Sequence, residues 1–135
     1  MKTVIYTDGS ARGNPGRAGW GVVILRGEKS HELGGRSEHA TNNQMELQAA
    51  IEALKYLQKN KIKNAQIFAD SKYVVHGITD WIFNWQKNNW RGANKKLVMN
   101  RELWEELFEQ TRGLDLKWNY VEGHNGDKWN ERADE

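Results

Sequence analysis

Residues 41–59, "TNNQMELQAAIEALKYLQK", decide the fold, because here the hydrophobic pattern changes from the period of a strand to that of a helix. The apolar residues recur at three- and four-residue spacing, as on one face of a helix. They are Leu47, Ala50, Ile51, Leu54 and Leu57. The pattern therefore predicts a helix over residues 42–59.

Polar residues at the start of this stretch supply the helix cap. In a capping box, a first side chain and the side chain three residues later each bond to the other residue's backbone. Two pairs fit this spacing, Thr41 with Gln44 and Asn43 with Glu46. The sequence leaves both pairs open.

Strand patterns lie on both sides of the helix, as short stretches that alternate or are rich in β-branched residues. They cover residues 3–7, 20–25, 31–38, 64–70 and 116–121, with a glycine-rich turn expected over residues 8–16. Further helical patterns cover residues 71–78, 80–86, 100–111 and 127–135. The short connections predict that the first three strands form an antiparallel meander.

This order of elements predicts an α/β fold. A right-handed crossover through the helix places the fourth strand parallel to the first, whose other side is taken by the second and third. We expect one domain over residues 1–135, with a five-stranded mixed sheet of order 3-2-1-4-5 flanked by helices. Connections then leave in opposite directions between the first and fourth strands, so a crevice is expected at their carboxyl ends.

The composition excludes several classes of protein. The chain has no cysteine, which rules out a disulfide framework and a thiolate zinc site. No stretch approaches the ~20 apolar residues of a membrane helix, and the opening residues are typical of a strand rather than of a signal peptide. A P-loop pattern is absent, and the four histidines lack metal-ligand spacing. We therefore expect a cytoplasmic protein with no membrane contact.

Residues 86–101, "QKNNWRGANKKLVMNR", form a basic segment that contains no acid, although the whole chain carries a formal charge of only +2. Four of the seven tryptophans lie between positions 81 and 104. Basic residues interleaved with aromatic residues indicate a nucleic-acid surface. The alternative is a solvated loop beside a tryptophan-containing core.

Three acids are expected to meet at the predicted crevice. Asp8 follows the first strand, Asp70 ends the fourth, and Glu46 lies in the first turn of the crossover helix. Carboxylates packed together repel one another, so such a cluster needs a cation. Carboxylate oxygens are the ligands that Mg²⁺ and Mn²⁺ prefer.

Each acid also has a purely structural interpretation. Asp8 with Gly9 is a common turn pair, Glu46 fits a capping box, and Asp70 fits the N-cap of the next helix. Taken singly, these interpretations are favoured. They do not explain why the predicted topology gathers the three acids at one place.

Four separated motifs carry a resemblance to a known family: "YTDGSARGNPGRAGWGVVI", "TNNQMELQAAIEAL", "ADSKYVVHGITDWIFNW" and "VEGHNGDKWNERADE". In this order they resemble type 1 ribonuclease H of the bacterial kind, and the basic segment resembles the substrate-binding protrusion of that family. The resemblance covers nearly the whole chain. It implies the ribonuclease H fold and hydrolysis of the RNA strand of an RNA–DNA hybrid, which leaves 3′-hydroxyl and 5′-phosphate ends.

The resemblance also implies the catalytic residues. Asp8, Glu46, Asp70 and Asp134 match the metal-binding acids, and His124 matches a mobile histidine that serves proton handling or product release. Two Mg²⁺ ions, with Mn²⁺ as a possible substitute, would hold the scissile phosphate, activate the attacking water and stabilise the leaving oxygen.

The nucleic-acid contacts follow from the same resemblance. The residues that match minor-groove contacts of the family are Gly9, Ser10, Asn14, Asn42, Asn43, Met45 and Lys72. Some family members carry glutamine where Lys72 stands. Those expected along the DNA strand are Thr41, Trp81, Trp85, Lys87, Trp90, Arg91, Lys95, Lys96 and Trp104. The alternative for the tryptophans is core packing of the helices over residues 80–86 and 100–111. We expect both roles, with Trp104 the most buried. The family suggests a monomer.

Two other functions stay open at this stage: a hybrid-binding module that no longer cuts, and a different nuclease or strand transferase on the same fold. The end of the chain departs from the family pattern. Family members usually continue past "DE" with an apolar helical stretch, whereas this chain ends one residue after Asp134. We therefore expect Asp134 to be the least ordered of the four acids, with Trp129 as the anchor of its short helix.

Overall fold

The computed structural model describes residues 2–122, which form five strands and four α-helices. The strands are β1 (Thr3–Gly13), β2 (Gly16–Arg26), β3 (Lys29–Ala40), β4 (Asn64–Ala69) and β5 (Asp115–Tyr120). The helices are α1 (Asn42–Lys59), α2 (Lys72–His76), α3 (Ile82–Lys87) and α4 (Arg101–Gln110). One π-helical turn, Gly77–Trp81, joins α2 to α3. The helix predicted for residues 127–135 lies outside the described residues.

The sheet has the order β3-β2-β1-β4-β5, which confirms the predicted topology. Strands β1, β2 and β3 pair antiparallel, whereas β4 runs parallel to both β1 and β5. Helix α1 makes the crossover from the meander to β4 and packs against β1, β2 and α4. The predicted α/β mixed sheet is therefore the observed architecture.

Strand β1 is longer than predicted, and the turn expected over residues 8–16 is wrong in extent. The antiparallel ladder between β1 and β2 continues from the pair Asp8–Gly21 to the pair Gly13–Gly16. The small side chains there suggested a turn, but an antiparallel ladder satisfies the same backbone groups. Only the two residues between Gly13 and Gly16 are needed to reverse the chain.

Helix α1 begins with the first of the two capping pairs. The Thr41 hydroxyl accepts a bond from the Gln44 amide at 3.1 Å, and the Gln44 side chain accepts one from the Thr41 amide at 2.9 Å. Glu46 therefore takes no part in the cap. It lies beyond the first turn, which contains no acid, so its predicted placement in the first turn was wrong.

The core lies between the sheet and the helices. Its largest fully buried side chains include Trp104 of α4, Leu54 of α1 and Ile67 of β4. A Cβ atom added to Gly77 would lie 2.0 Å from Cη2 of Trp104, so the π-helical turn rests directly on the indole ring. Within residues 2–122, no helix is both long and apolar enough to cross a membrane.

Candidate active site

The parallel pairing of β1 with β4 brings two of the acids together. Its last aligned pair is Thr7 with Ala69, and the chain then continues to Asp8 on one strand and Asp70 on the other. Since both strands run in the same direction, the two carboxylates leave the same edge of the sheet. This is the edge at which the topology predicts a crevice.

The third acid arrives because β1 and α1 approach closely at Gly9. A Cβ atom on Gly9 would lie 2.4 Å from the carbonyl carbon of Met45 and 2.5 Å from the amide nitrogen of Glu46. No side chain fits at these distances, so only glycine allows α1 to start here. The contact sets Glu46 beside Asp8, in the middle of β1.

Asp8, Glu46 and Asp70 thus form one acid cluster. Each offers a carboxylate oxygen, and these oxygens all lie within 4.8 Å of one another. Asp8 and Glu46 are buried, at 3% and 9% exposure, and Asp70 is half-buried. Burial, and next the negative charge of Asp70, raises the pKa of the Glu46 carboxyl from 4.5 to about 9.

The donor set of this cluster fits a divalent cation. One buried oxygen of Glu46 and one of Asp70 have no hydrogen-bond partner in the described structure. A buried acceptor without a partner is costly, and a hard cation bound by carboxylate oxygens would remove that cost. Within residues 2–122, these acids make up the one group of three or more side chains with metal-ligand geometry.

The structural interpretations of the three acids fail in turn. Asp8 and Gly9 lie in the middle of a strand rather than in a turn. The capping box uses Thr41 and Gln44, not Glu46. The N-cap of α2 is Ser71, whose hydroxyl accepts a bond from the Val74 amide at 3.2 Å, and not Asp70.

Two asparagines predicted as minor-groove contacts join the β1–β2 hairpin to the start of α1. The side-chain oxygen of Asn42 accepts a bond from the Ala11 amide, and that of Asn14 accepts one from the Asn42 amide at 3.1 Å. Because each oxygen is engaged by a backbone donor, each side-chain NH₂ group is left as the donor that can face a ligand. Gly9 and Ser10 lie on the same stretch of β1.

The basic segment forms a loop between α3 and α4. An isolated bridge pairs Arg91 with Leu97, and the Arg91 guanidinium donates to the Lys95 carbonyl at 3.0 Å. The cationic side chains predicted to contact phosphates are all exposed: Lys87, Arg91, Lys95 and Lys96. Their exposure leaves them accessible to an external polyanion.

The tryptophans beside this loop form an aromatic cluster. Trp85 lies at its centre, with ring centroids 6.0 Å from Trp81, 6.2 Å from Trp90 and 5.2 Å from Trp104. Trp81 is 37% exposed, whereas Trp90 is 8% exposed and Trp104 is fully buried. The expectation that Trp104 is the most buried of the set is confirmed. Nucleic-acid contacts by these tryptophans stay predictions, and Trp90 and Trp104 have packing roles in the structure.

Sequence reasoning missed a polar network that ties the loop to the start of α1. The Tyr73 hydroxyl accepts bonds from the Trp104 indole at 3.0 Å and from the Asn100 side chain at 3.3 Å. The Gln44 side chain in turn donates to Asn100 at 3.4 Å. The signal in the sequence was weak, because an asparagine before a helix is ordinarily interpreted as its cap. Asn100 does occupy the N-cap position of α4, but it adopts a left-handed φ of 61° and its side chain does not cap the helix.

The structure describes some of the remaining predicted site residues and not others. Met45 and Asn43 lie in the first turns of α1, and Lys72 is the first residue of α2. His124 and Asp134 lie outside the described residues. The expectation that Asp134 is the least ordered acid therefore also concerns residues that the structure does not describe. Their roles stay predictions.

Comparisons with known proteins agree with this geometry. The family model of RNase H matches residues 1–135. A ribonuclease H of Bradyrhizobium diazoefficiens is 49% identical over 131 residues, covering 97% of this chain and 84% of that protein. Ribonuclease HI of Pseudomonas aeruginosa is 46% identical over 134 residues, covering 99% of this chain and 89% of that protein.

Solved structures show the same likeness. LC9-RNase H1, described as a type 1 RNase H with the type 2 active-site motif, superposes with a TM-score of 0.86 at 27% identity, covering 98% of this chain and 68% of that one. LC11-RNase H1, solved in complex with an RNA/DNA hybrid, gives a TM-score of 0.73 at 29% identity, covering 98% and 91%. With the family model matched over the full sequence, this chain belongs to the ribonuclease H family.

Proposed function

We propose that this protein is an endoribonuclease that hydrolyses the RNA strand of RNA–DNA hybrids and leaves 3′-hydroxyl and 5′-phosphate ends. The observation that carries the proposal is the cluster of Asp8, Glu46 and Asp70, whose oxygens lie within 4.8 Å of one another in a chain of the ribonuclease H family. A relative of the same fold was solved with an RNA/DNA hybrid bound, which supports the choice of substrate.

The acid cluster would hold two Mg²⁺ ions, with Mn²⁺ as a substitute, and Asp134 would complete the ligand set. When bound, such ions supply an activated water and charge stabilisation for the phosphate being cleaved. Asp8 and Asp70 would be the central ligands, because they extend from neighbouring parallel strands. Glu46 approaches from α1 and would bind on one flank.

Glu46 links metal binding to proton release. Its pKa is raised to about 9, so without a cation the carboxyl keeps its proton at neutral pH. The Glu46 carboxylate would hold a divalent ion only after the carboxyl has lost this proton, because metal ligands act in their deprotonated form. The buried oxygen of Glu46 that lacks a partner in the described structure is a suitable ligand atom.

The edge of the site suits the minor groove of a hybrid. The NH₂ groups of Asn14 and Asn42, which have no acceptor among residues 2–122, are donors. The minor groove of a nucleic-acid duplex presents base acceptors and, on an RNA strand, the 2′-hydroxyl. Gly9 and Ser10 follow Asp8 directly on β1. We propose that these groups, with Asn43 and Met45, read the shape of the hybrid and the 2′-hydroxyls of its RNA strand.

The basic segment would lie along the DNA strand. Its exposed cations, Lys87, Arg91, Lys95 and Lys96, are suited to phosphates, and the half-exposed Trp81 and Trp85 offer aromatic faces beside them. Thr41 would contact a phosphate of the same strand. We further propose that residues 1–135 act as one domain, as a monomer and in the cytoplasm.

The experiment that tests this function offers the protein four labelled 20-base-pair substrates with Mg²⁺: an RNA–DNA hybrid, duplex RNA, duplex DNA and single-stranded RNA. The expected result is cleavage of the RNA strand in the hybrid alone. The new ends should accept ligation only through a 5′-phosphate and a 3′-hydroxyl. Preferred cleavage of duplex DNA or of a single strand would refute the assignment.

A further inference from the structure

The carboxyl edge of the sheet carries a cation that the acid cluster does not explain. Lys72 is the first residue of α2, two positions after Asp70, and its side chain is exposed. Its Nζ atom lies 5.3 Å from the centroid of the Tyr120 ring. That distance is within the ~6 Å range of a cation–π contact.

Tyr120 reaches this position because β5 ends where β4 ends. Tyr120 is the last residue of β5 and is aligned with Ala69, the residue before Asp70. The ladder then closes with a bond from the Val121 amide to the Ala69 carbonyl at 2.9 Å. Tyr120, 39% exposed, therefore lies one strand away from Asp70, at the same edge of the sheet.

Helix stability does not account for the lysine. A cation in the first turn of a helix faces the positive end of the helix dipole, which disfavours it. The N-cap is supplied by Ser71, so Lys72 is not needed to start the helix. Among the ion pairs found within residues 2–122, none uses Lys72, so no ion pair there holds its ammonium.

We propose that Tyr120 positions Lys72 to bind a backbone phosphate of the hybrid next to the bond that is cut. The inference rests on the proposed function and deepens it. Lys72 is two positions after Asp70, with Ser71 between them, so the phosphate that it binds is a neighbour of the one held by the acids. The Lys72 ammonium carries a full positive charge that suits a phosphate, and its contact with the Tyr120 ring restricts the otherwise mobile side chain.

A phosphate contact differs from a contact to base edges in its salt dependence. Log affinity falls as log salt rises, and each phosphate that a protein cation neutralises adds about 0.9 to the steepness of this fall for a duplex. We call this steepness the slope. A hydrogen bond to a base edge or a 2′-hydroxyl adds affinity but almost no slope. The slope therefore reports what Lys72 binds, and a merely structural role would leave it unchanged.

The experiment measures binding of a labelled 20-base-pair RNA–DNA hybrid between 50 and 200 mM KCl, in the presence of a chelator so that the hybrid stays intact. The variants are Lys72→Gln, Tyr120→Leu and Tyr120→Phe. Lys63→Gln is the matched control, because Lys63 is an exposed lysine that precedes β4 at the opposite end of the strand from Asp70. Each stock is first assayed for hybrid cleavage with Mg²⁺, so that failure of the proposed function shows in the parent protein alone.

Lys72→Gln should lower the slope by about 0.9, which corresponds to about 3.5-fold less loss of affinity over this fourfold range of salt. Tyr120→Leu should also lower the slope, whereas Tyr120→Phe should leave it unchanged. In the Lys72→Gln background, Tyr120→Leu should have no further effect on the slope. An unchanged slope for Lys72→Gln would overturn the phosphate contact, even if affinity falls at every salt concentration. If Tyr120→Leu does not fold, Tyr120→Met takes its place, and a parental slope for a folded variant without the ring would overturn the positioning role.

Discussion

A carboxylate oxygen of Glu46, on α1, lies within 4.8 Å of a carboxylate oxygen of Asp70, which follows β4. The two residues are 24 positions apart in sequence and come from different layers of the fold. Burial of Glu46, together with the charge of Asp70, raises the pKa of the Glu46 carboxyl to about 9. The two carboxylates therefore repel each other when both are ionised, and a bound proton or cation reduces that repulsion.

The first prediction concerns stability against pH in the absence of divalent ions. The folded pKa of Glu46 is about 9 and the ordinary value is 4.5. Between these values the unfolded chain loses the proton and the folded chain keeps it, so the free energy of unfolding falls as pH rises. The contribution is full below pH 4.5 and is lost as pH rises through about 9.

The measurement is urea denaturation of the parent protein and of Glu46→Gln at pH 5.5 and 8.5, with a chelator present. The parent should lose stability relative to Glu46→Gln as pH rises, by an amount on the order of a few kcal/mol. Adding Mg²⁺ at pH 8.5 should restore the stability of the parent but not that of the glutamine variant. Parallel behaviour of the two proteins across this range would show that Glu46 does not carry the shifted proton.

The second prediction concerns the contact between β1 and α1. Gly9→Ala places a methyl group within 2.5 Å of the backbone of Met45 and Glu46, so the strand and the helix must move apart. Displacement of a catalytic group by about 1 Å costs on the order of 100-fold in rate, and we expect that loss in hybrid cleavage. The control is Gly34→Ala, whose added Cβ meets only the Trp20 carbonyl oxygen at 3.5 Å. Equal activity of the two variants would contradict the account of Glu46 placement.

The third prediction concerns the packing of the π-helical turn on Trp104. Gly77→Ala brings a Cβ atom to 2.0 Å from the buried indole ring, which its bond to Tyr73 holds in place. The clash should lower the free energy of unfolding by about 1–3 kcal/mol, although alanine otherwise favours a helix over glycine. Thermal melting checks the sign. In the Trp104→Phe background the same change should cost less, and fully additive costs would exclude the contact as the cause.

The fourth prediction concerns the basic segment. Changing Lys87, Arg91, Lys95 and Lys96 together to alanine should reduce the salt slope of hybrid binding by roughly 3 to 4, at about 0.9 for each phosphate contact. The Mg²⁺-dependent gain in thermal stability should remain, because none of the four residues belongs to the acid cluster. A parental slope in the fourfold variant would show that the segment does not face phosphates.

Periodicity and crossover rules were sufficient for the sheet order and for the meeting of Asp8, Glu46 and Asp70. Those features depend on the hydrophobic pattern and on chain handedness, both of which are visible in one sequence. The extent of β1 was missed, because glycine-rich sequence is typical of turns and nothing local shows that Gly13 pairs with Gly16. Local composition cannot report a partner strand.

Long-range polar contacts were missed for a related reason. The network of Gln44, Asn100, Tyr73 and Trp104 joins residues up to 60 positions apart, and each residue has an ordinary local role that hides it. The need for glycine at position 9 also became visible only when α1 lay against β1. The family resemblance supplied His124 and Asp134, which the residue pattern alone did not identify as a pair.

The central claim is that the acid cluster cuts the RNA strand of a hybrid with the help of divalent ions. The most direct test compares initial rates of hybrid cleavage in Mg²⁺ for the parent protein and for Asp70→Asn, with circular dichroism to show that both are folded. The account predicts a fall of at least about 1,000-fold for the asparagine variant, because removal of one charged ligand disables the metal site. A folded Asp70→Asn protein that keeps more than a tenth of the parental rate would contradict the claim.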